Sequence, residues 1–77
     1  MSFSKSEHQA MLKLKGVGAT VIYRLEQIGF YSLEQLSNQD AAVVTKQISE
    51  MMGSTCWHNS PQARASIQSV IDLANQS

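Results

Sequence analysis

The chain has 77 residues, which is enough for one small domain and too few for a second hydrophobic core. Its formal net charge is zero and 16% of its residues are charged, which argues against a strong, charge-driven nucleic-acid binder. A single cysteine excludes an internal disulfide and a cysteine-based zinc site within one chain. Neither a membrane-spanning apolar run nor a signal peptide is recognisable, so we expect a cytoplasmic protein that does not enter membranes.

The charges are distributed unevenly along the chain. Residues 1–25 contain four basic residues and one acidic residue, a local charge of +3, whereas residues 26–77 contain two basic and five acidic residues, a local charge of −3. The basic residues of the first segment are Lys5, Lys13, Lys15 and Arg24. This excess fits weak, salt-sensitive binding of phosphate groups. The same residues also fit a solvated helix face.

Helix signals begin at the start of the chain. Ser4 and Glu7 have the spacing of a capping box, in which each side chain accepts a hydrogen bond from the backbone of the other residue. The helix that follows is predicted to run to about Leu14 and to be ended by Gly16. Its buried face is predicted to contain Ala10, Met11 and Leu14.

A second helix is predicted from about Ala19 to Ile28, followed by Gly29 in the left-handed conformation. Its buried stripe is predicted to contain Val21, Ile22, Leu25 and Ile28. Ser32 is predicted to cap a short helical turn through Leu36.

A longer helix, capped within residues 37–40, is predicted to run to about Met52 and to end at Gly53. Its stripe is predicted to contain Ala41, Val44, Ile48 and Met51. Residues 54–59 are predicted to form a loop. Ser60 and Pro61 then begin the last helix as N-cap and first helical residue. Its inward residues are predicted to be Ala63, Ile67, Val70, Ile71 and Ala74.

These elements predict an all-α fold, a compact bundle of four to five short helices, in a single domain over residues 1–77. No segment has the alternation and turn chemistry of a β-hairpin. The chain divides into two similar halves, a helical hairpin over residues 7–29 and a second, degenerate helix-loop-helix over residues 38–75. We therefore expect short connections and neighbouring helices that pack as hairpins.

The Gly16-Val17-Gly18 turn is the stretch most suggestive of function. A glycine-rich turn that opens a helix leaves several backbone N–H groups without internal partners. Those groups and the helix dipole form a binding site for an anion. The anion that we expect here is a nucleic-acid phosphate.

The first half of the chain resembles the helix-hairpin-helix family of DNA-binding motifs. The resemblance rests on Leu14-Lys15-Gly16-Val17-Gly18, on Leu25 and on Ile28-Gly29-Phe30, and the following Ser32-Leu33-Glu34-Gln35-Leu36 is similar to a turn that often comes next in such domains. It implies a tandem helix-hairpin-helix, or SAM-like, arrangement. Through Trp57-His58 before a proline-led, arginine-containing helix, the chain also resembles the C-terminal domain of TfoX-type competence regulators.

The family resemblance implies binding of the DNA backbone without base readout, and no enzymatic activity. The nucleic-acid-binding residues that it and the local charge indicate are Lys13, Lys15, Gly16, Val17, Gly18, Ala19, Thr20 and Arg24. The family further implies that a monovalent cation can sit on the hairpin carbonyls; no other cofactor is expected. Thr20 stands where the family often has a basic residue, and Ile22 where it often has alanine, so we expect weak binding.

Several alternatives remain open at this stage. A protein-interaction domain of the same fold fits the zero net charge and the acidic second half, and the oligomeric state is undetermined. Tyr23 and Tyr31 fit either a role in covering the core or stacking on unpaired bases. A nucleophilic cysteine needs a spatially adjacent base and an oxyanion site, whereas the neighbours of Cys56 in Cys56-Trp57-His58 are only sequential, so this segment is expected to be structural.

Overall fold

The computed structural model of the protein describes residues 2–76 and confirms the all-α prediction. Six helices and no strand occur in this range. The helices are α1 (Lys5–Leu12), α2 (Ala19–Gln27), α3 (Leu33–Leu36), α4 (Ala41–Met52), α5 (Cys56–Asn59) and α6 (Pro61–Gln76). None of the helices over residues 2–76 has the length and apolar character needed to cross a membrane.

Helix α1 begins at the capping box predicted from the sequence. The Ser4 hydroxyl accepts a hydrogen bond from the Glu7 N–H (3.3 Å), and the Glu7 carboxylate accepts one from the Ser4 N–H (3.4 Å). The helix ends at Leu12, two residues before the predicted end at Leu14. The predicted end is wrong because the Leu14 N–H bonds to the carbonyl of Met11, three residues back, so the chain leaves the α-helix before the glycine turn.

Helix α2 and its exit agree with the sequence pattern. Gly29 follows the helix with φ +99°, the left-handed conformation that favours glycine. A second capping box opens α3, where the Ser32 hydroxyl accepts from the Gln35 N–H (3.3 Å). The short connection therefore brings the chain directly from the hairpin to the second half.

Helix α4 has the predicted ends and a different buried face. The Asp40 carboxylate accepts from the Ala42 N–H (2.8 Å), and Gly53 ends the helix with φ +67°. Met51, predicted to be buried, is 39% exposed, whereas Thr45 and Ser49 are buried. Thr45 tolerates burial because its hydroxyl donates to the Ala41 carbonyl (2.9 Å).

Residues 54–59, predicted to be a loop, contain the one-turn helix α5. The backbone N–H of His58 donates to the Ser49 hydroxyl (2.7 Å), which fixes this turn on α4. Trp57 is half-buried and packs against the core, while His58 and Cys56 are exposed. The turn is helical because α4 supplies an acceptor that local sequence does not reveal.

Helix α6 begins at Pro61, as predicted, and the Ser60 hydroxyl accepts from the Ala63 N–H (3.2 Å). Ile67, Val70, Ile71 and Ala74 are buried as predicted, whereas Ala63 is only half-buried. The core combines these residues with apolar side chains of every other helix except α5. Its buried members outside α6 are Phe3, Met11, Val17, Val21, Ile22, Leu25, Leu33, Leu36, Ala41, Val44 and Ile48.

Two carboxylates connect segments that are distant in sequence. Glu7 accepts a hydrogen bond from the Leu33 N–H (2.8 Å), and Glu26 accepts one from the Phe3 N–H (3.1 Å). The hydrogen bond from Leu33 lowers the pKa of the Glu7 carboxyl below its usual value of 4.5; burial opposes this effect, and the weaker contributions of the Ser4 hydrogen bonds add to it. The charged form of Glu7 therefore stabilises the junction between α1 and α3.

This geometry predicts a pH-dependent contribution of Glu7 to stability. Because the pKa of Glu7 is lower in the folded protein than in the unfolded chain, its contribution is complete above about pH 4.5 and is lost as the pH falls through the lowered value. Glu7→Gln should lower the free energy of unfolding at neutral pH by about 1 kcal/mol, since it removes the charge and one of the two acceptor oxygens, of which Oε1 faces Ser4 and Oε2 faces Leu33. Urea denaturation across the acidic range measures the difference.

The control is Glu34→Gln, because the Glu34 carboxylate accepts no hydrogen bond from any residue of the described range. The Glu7→Gln difference from wild type should shrink towards zero under acid conditions, and the Glu34→Gln difference should be small throughout. A Glu7→Gln difference that stays constant down to strongly acid pH would contradict the assignment.

Candidate nucleic-acid interface

The Gly16-Val17-Gly18 turn is held by one backbone hydrogen bond and one buried side chain. The Val17 N–H donates to the Leu14 carbonyl (3.2 Å), and the Val17 side chain is 6% exposed. Gly16 has φ +81°, which side-chain-bearing residues rarely adopt. Val17 therefore anchors the turn. The family resemblance implicates the Val17 N–H together with those of its neighbours, but the Val17 N–H is not available to a ligand.

Helix α2 begins without a side-chain cap. Its N-cap, Gly18, is extended (φ −120°, ψ −177°) and has no side chain with which to accept from the first turn. The other helices of eight or more residues begin with an acceptor side chain, provided by Ser4, Asp40 and Ser60. The first N–H groups of α2 are consequently left open to an acceptor from outside the helix.

Five backbone N–H groups around the turn have no acceptor within residues 2–76. They belong to Lys15, Gly16, Gly18, Ala19 and Thr20, and all five residues are exposed. The last three lie at the N-terminus of α2, where the helix dipole favours negative charge. These N–H groups can donate hydrogen bonds to a phosphate oxygen. They belong to five of the eight residues that the sequence indicates.

Ser66 of α6 completes the turn, and sequence reasoning missed it. Its hydroxyl donates to the Gly16 carbonyl (2.7 Å) across 50 positions of sequence and also bonds to the Gln62 carbonyl (3.0 Å). A surface groove lies beside this contact. The groove is lined by Lys15, Gly16, Gln62, Ala65, Ser66 and Ser69. The available signal was a serine directly beside Ile67 on the inward face of the last helix.

The predicted basic side chains have different settings. Lys15 borders the groove, and Lys13 is exposed. Arg24 is half-buried: its Nη1 donates to the Gln27 Oε1 (2.8 Å), and its Cζ lies 5.6 Å from the centre of the Tyr23 ring. Because Gln27 is three residues further along α2, this bond directs Arg24 away from the glycine turn. Lys15 is therefore the charge best placed at the free amides.

Two further groups of residues are candidates for function, the two tyrosines and the segment that contains Cys56. Tyr23 is 55% exposed and does not cover the core, so stacking on a base stays open for it, while Tyr31 is half-buried. Cys56 and His58 lie on α5, and among residues 2–76 no group of three or more His, Cys, Asp or Glu side chains is arranged to hold a metal ion. These features add no chemistry to the turn.

The monovalent cation that the family resemblance implies would be bound by backbone carbonyl oxygens of the turn. Leu14 and Gly16 carbonyls each accept one hydrogen bond, from Val17 and Ser66. The carbonyls of Lys15 and Val17 accept none within the described range. A carbonyl oxygen has two lone pairs, so the turn retains acceptor capacity for a monovalent cation.

Comparison of the chain with protein-family models, with curated proteins and with solved structures finds no match. The helix-hairpin-helix resemblance and the weaker TfoX resemblance accordingly stay predictions that rest on the residues given above.

The turn geometry predicts opposite tolerances for its two glycines. Gly16→Ala should lower the free energy of unfolding by about 1–2 kcal/mol, because a side chain is strained at φ +81°; the added Cβ would meet the Ser66 hydroxyl at 3.4 Å, an ordinary contact distance. Gly18→Ala should cost less than about 1 kcal/mol, because its φ is ordinary and the added Cβ meets no atom within 4 Å. Thermal and urea denaturation of the two variants decide the order, and equal losses would refute it.

Proposed function

We propose that the protein is a non-enzymatic module that binds the nucleic-acid backbone, DNA above all, without strong sequence preference. The observation that carries the proposal is the set of five exposed, unpartnered N–H groups at the Gly16-Val17-Gly18 turn. Such groups bind the phosphate oxygens that every nucleotide offers, so they position a strand and read no sequence. The resemblance to the helix-hairpin-helix family supports the same reading.

In this proposal the residues of the turn have distinct roles. The N–H groups of Gly18, Ala19 and Thr20 bind one phosphate at the start of α2, and the Thr20 hydroxyl adds a donor. Lys15 contributes the nearest positive charge, and Lys13 contributes at longer range. Val17 positions the turn through its buried side chain.

The proposed affinity is low. Lysine or arginine side chains that neutralise two or three phosphates give non-specific binding of about 10⁻⁴–10⁻⁶ M at physiological salt, with a marked salt dependence. Lys13 and Lys15 are nevertheless available, because both are exposed and no Lys or Arg of residues 2–76 forms an ion pair with a carboxylate of that range. The expected binding is thus weak, rapid and strongest at low salt.

A second candidate is a protein-interaction domain of the same fold. The observation that favours it is the exposure of Met51 (39%) and Met52 (37%) at the end of α4, since methionine adapts to varied partner surfaces. A stoichiometric protein partner, recovered with no nucleic acid in the purified complex, distinguishes this candidate from the first.

The sharpest test supplies the free N–H groups with a hydrogen-bond acceptor from the chain itself. Gly18→Asp introduces an N-cap carboxylate that accepts from the first turn of α2, so it should preserve or slightly raise stability and repel phosphate. Titration of a short duplex and of one of its strands, followed by amide chemical shifts, should give binding at least about tenfold weaker than wild type, a change of about 1.4 kcal/mol.

Thr55→Asp is the matched control. Thr55 is an exposed N-cap, of α5, that also lacks a side-chain cap bond, so the variant has the same net charge and the same kind of substitution away from the turn. It should bind nearly as wild type does. Wild-type shifts that are largest within residues 13–24 agree with the proposal, whereas equal effects of the two variants, or no salt-dependent binding by wild type, would refute it.

A further inference from the structure

Arg64 is an exposed residue of α6 and lies beside a surface groove close to the one that borders the glycine turn. A second groove on α6 is lined by Pro61, Arg64, Ala65 and Gln68. Ala65 also lines the groove of Lys15 and Gly16, so the two grooves adjoin at this residue.

The fold thereby joins basic residues that the sequence separates by almost fifty positions. Lys15 borders one groove and Arg64 the other, and both side chains are exposed. Neither forms an ion pair within residues 2–76. The sequence assigns Arg64 to the acidic part of the chain, whereas in the structure the next residue of α6, Ala65, lines the groove beside Gly16.

We propose that a nucleic-acid strand bound at the glycine turn crosses α6 over Ala65 and that Arg64 binds a second phosphate of that strand. This inference rests on the proposed function and extends its interface from one phosphate to two. A guanidinium forms charge-assisted, bidentate hydrogen bonds with phosphate oxygens, so Arg64 suits this role better than an ammonium group does.

The negative charge of Asp72 favours one direction for the proposed strand across α6. Asp72 follows Gln68 by one helical turn and accepts a hydrogen bond from the Gln68 side-chain amide (2.8 Å). Its carboxylate repels a strand that runs along α6 towards the C-terminus. A strand therefore crosses α6 near Ala65 instead of following the helix axis.

The experiment compares two exposed cations that each lose one charge. Arg64→Gln removes the proposed contact, and Lys46→Gln is the control, because Lys46 lies on α4 beside a different groove with Glu50 and His58. Lys15→Gln reports on the turn itself. The affinity of each variant for a short DNA duplex is measured by fluorescence anisotropy between about 50 mM and 200 mM salt.

Arg64→Gln should reduce the slope of log affinity against log salt by about 0.9 and weaken binding about threefold at the lowest salt, as expected for one lost phosphate contact. Lys46→Gln should leave the slope unchanged. If Lys15→Gln weakens binding while Arg64→Gln matches Lys46→Gln, the path over α6 is wrong and the proposed function stands. If wild type binds no DNA, both fail.

Discussion

The hydrogen bond from the Ser66 hydroxyl to the Gly16 carbonyl is the contact on which the site depends. A glycine turn with one internal backbone bond has little rigidity of its own, and α2 begins immediately after it. The bond to α6 fixes the turn against the longest helix of the bundle, while Val17 holds it to the core from the other side. The direction of the free N–H groups and the position of Lys15 beside α6 both follow from this attachment.

Features determined by a few neighbouring residues could be predicted from the sequence. The capping box at Ser4, the left-handed Gly29 and the Ser60-Pro61 helix start depend on local spacing, and each is found where expected. The helical spacing of the apolar residues of α4 predicts a buried Met51, which is exposed, whereas Thr45 is buried because its hydroxyl bonds to its own helix. Helix α5 was missed because its acceptor, Ser49, is on another helix.

The candidate site likewise combines features that local sequence determines with features that depend on the fold. The exposure of the N–H groups at Gly18, Ala19 and Thr20 follows from a glycine N-cap and was predictable. The loss of the Val17 N–H to Leu14 and the attachment of Arg24 to Gln27 depend on the folded arrangement of the turn and of α2. The net charge of zero does not reveal that the basic side chains are unpaired. The Glu7 and Glu26 carboxylates accept hydrogen bonds from backbone N–H groups and form no ion pair with a lysine or arginine of residues 2–76.

The missing cap of α2 links the stability of this helix to whatever occupies its first turn. The other helices of eight or more residues have acceptor side chains at their N-caps, and Asp40 contributes a full carboxylate at the start of α4. At Gly18 an acceptor from solution takes the place of a side chain, so any anion that binds there completes the helix end as well as occupying a site. Phosphate or sulfate in a buffer would accordingly act as a thermodynamic stabiliser of the hairpin, and amide hydrogen exchange in the first turn of α2 would slow with its concentration.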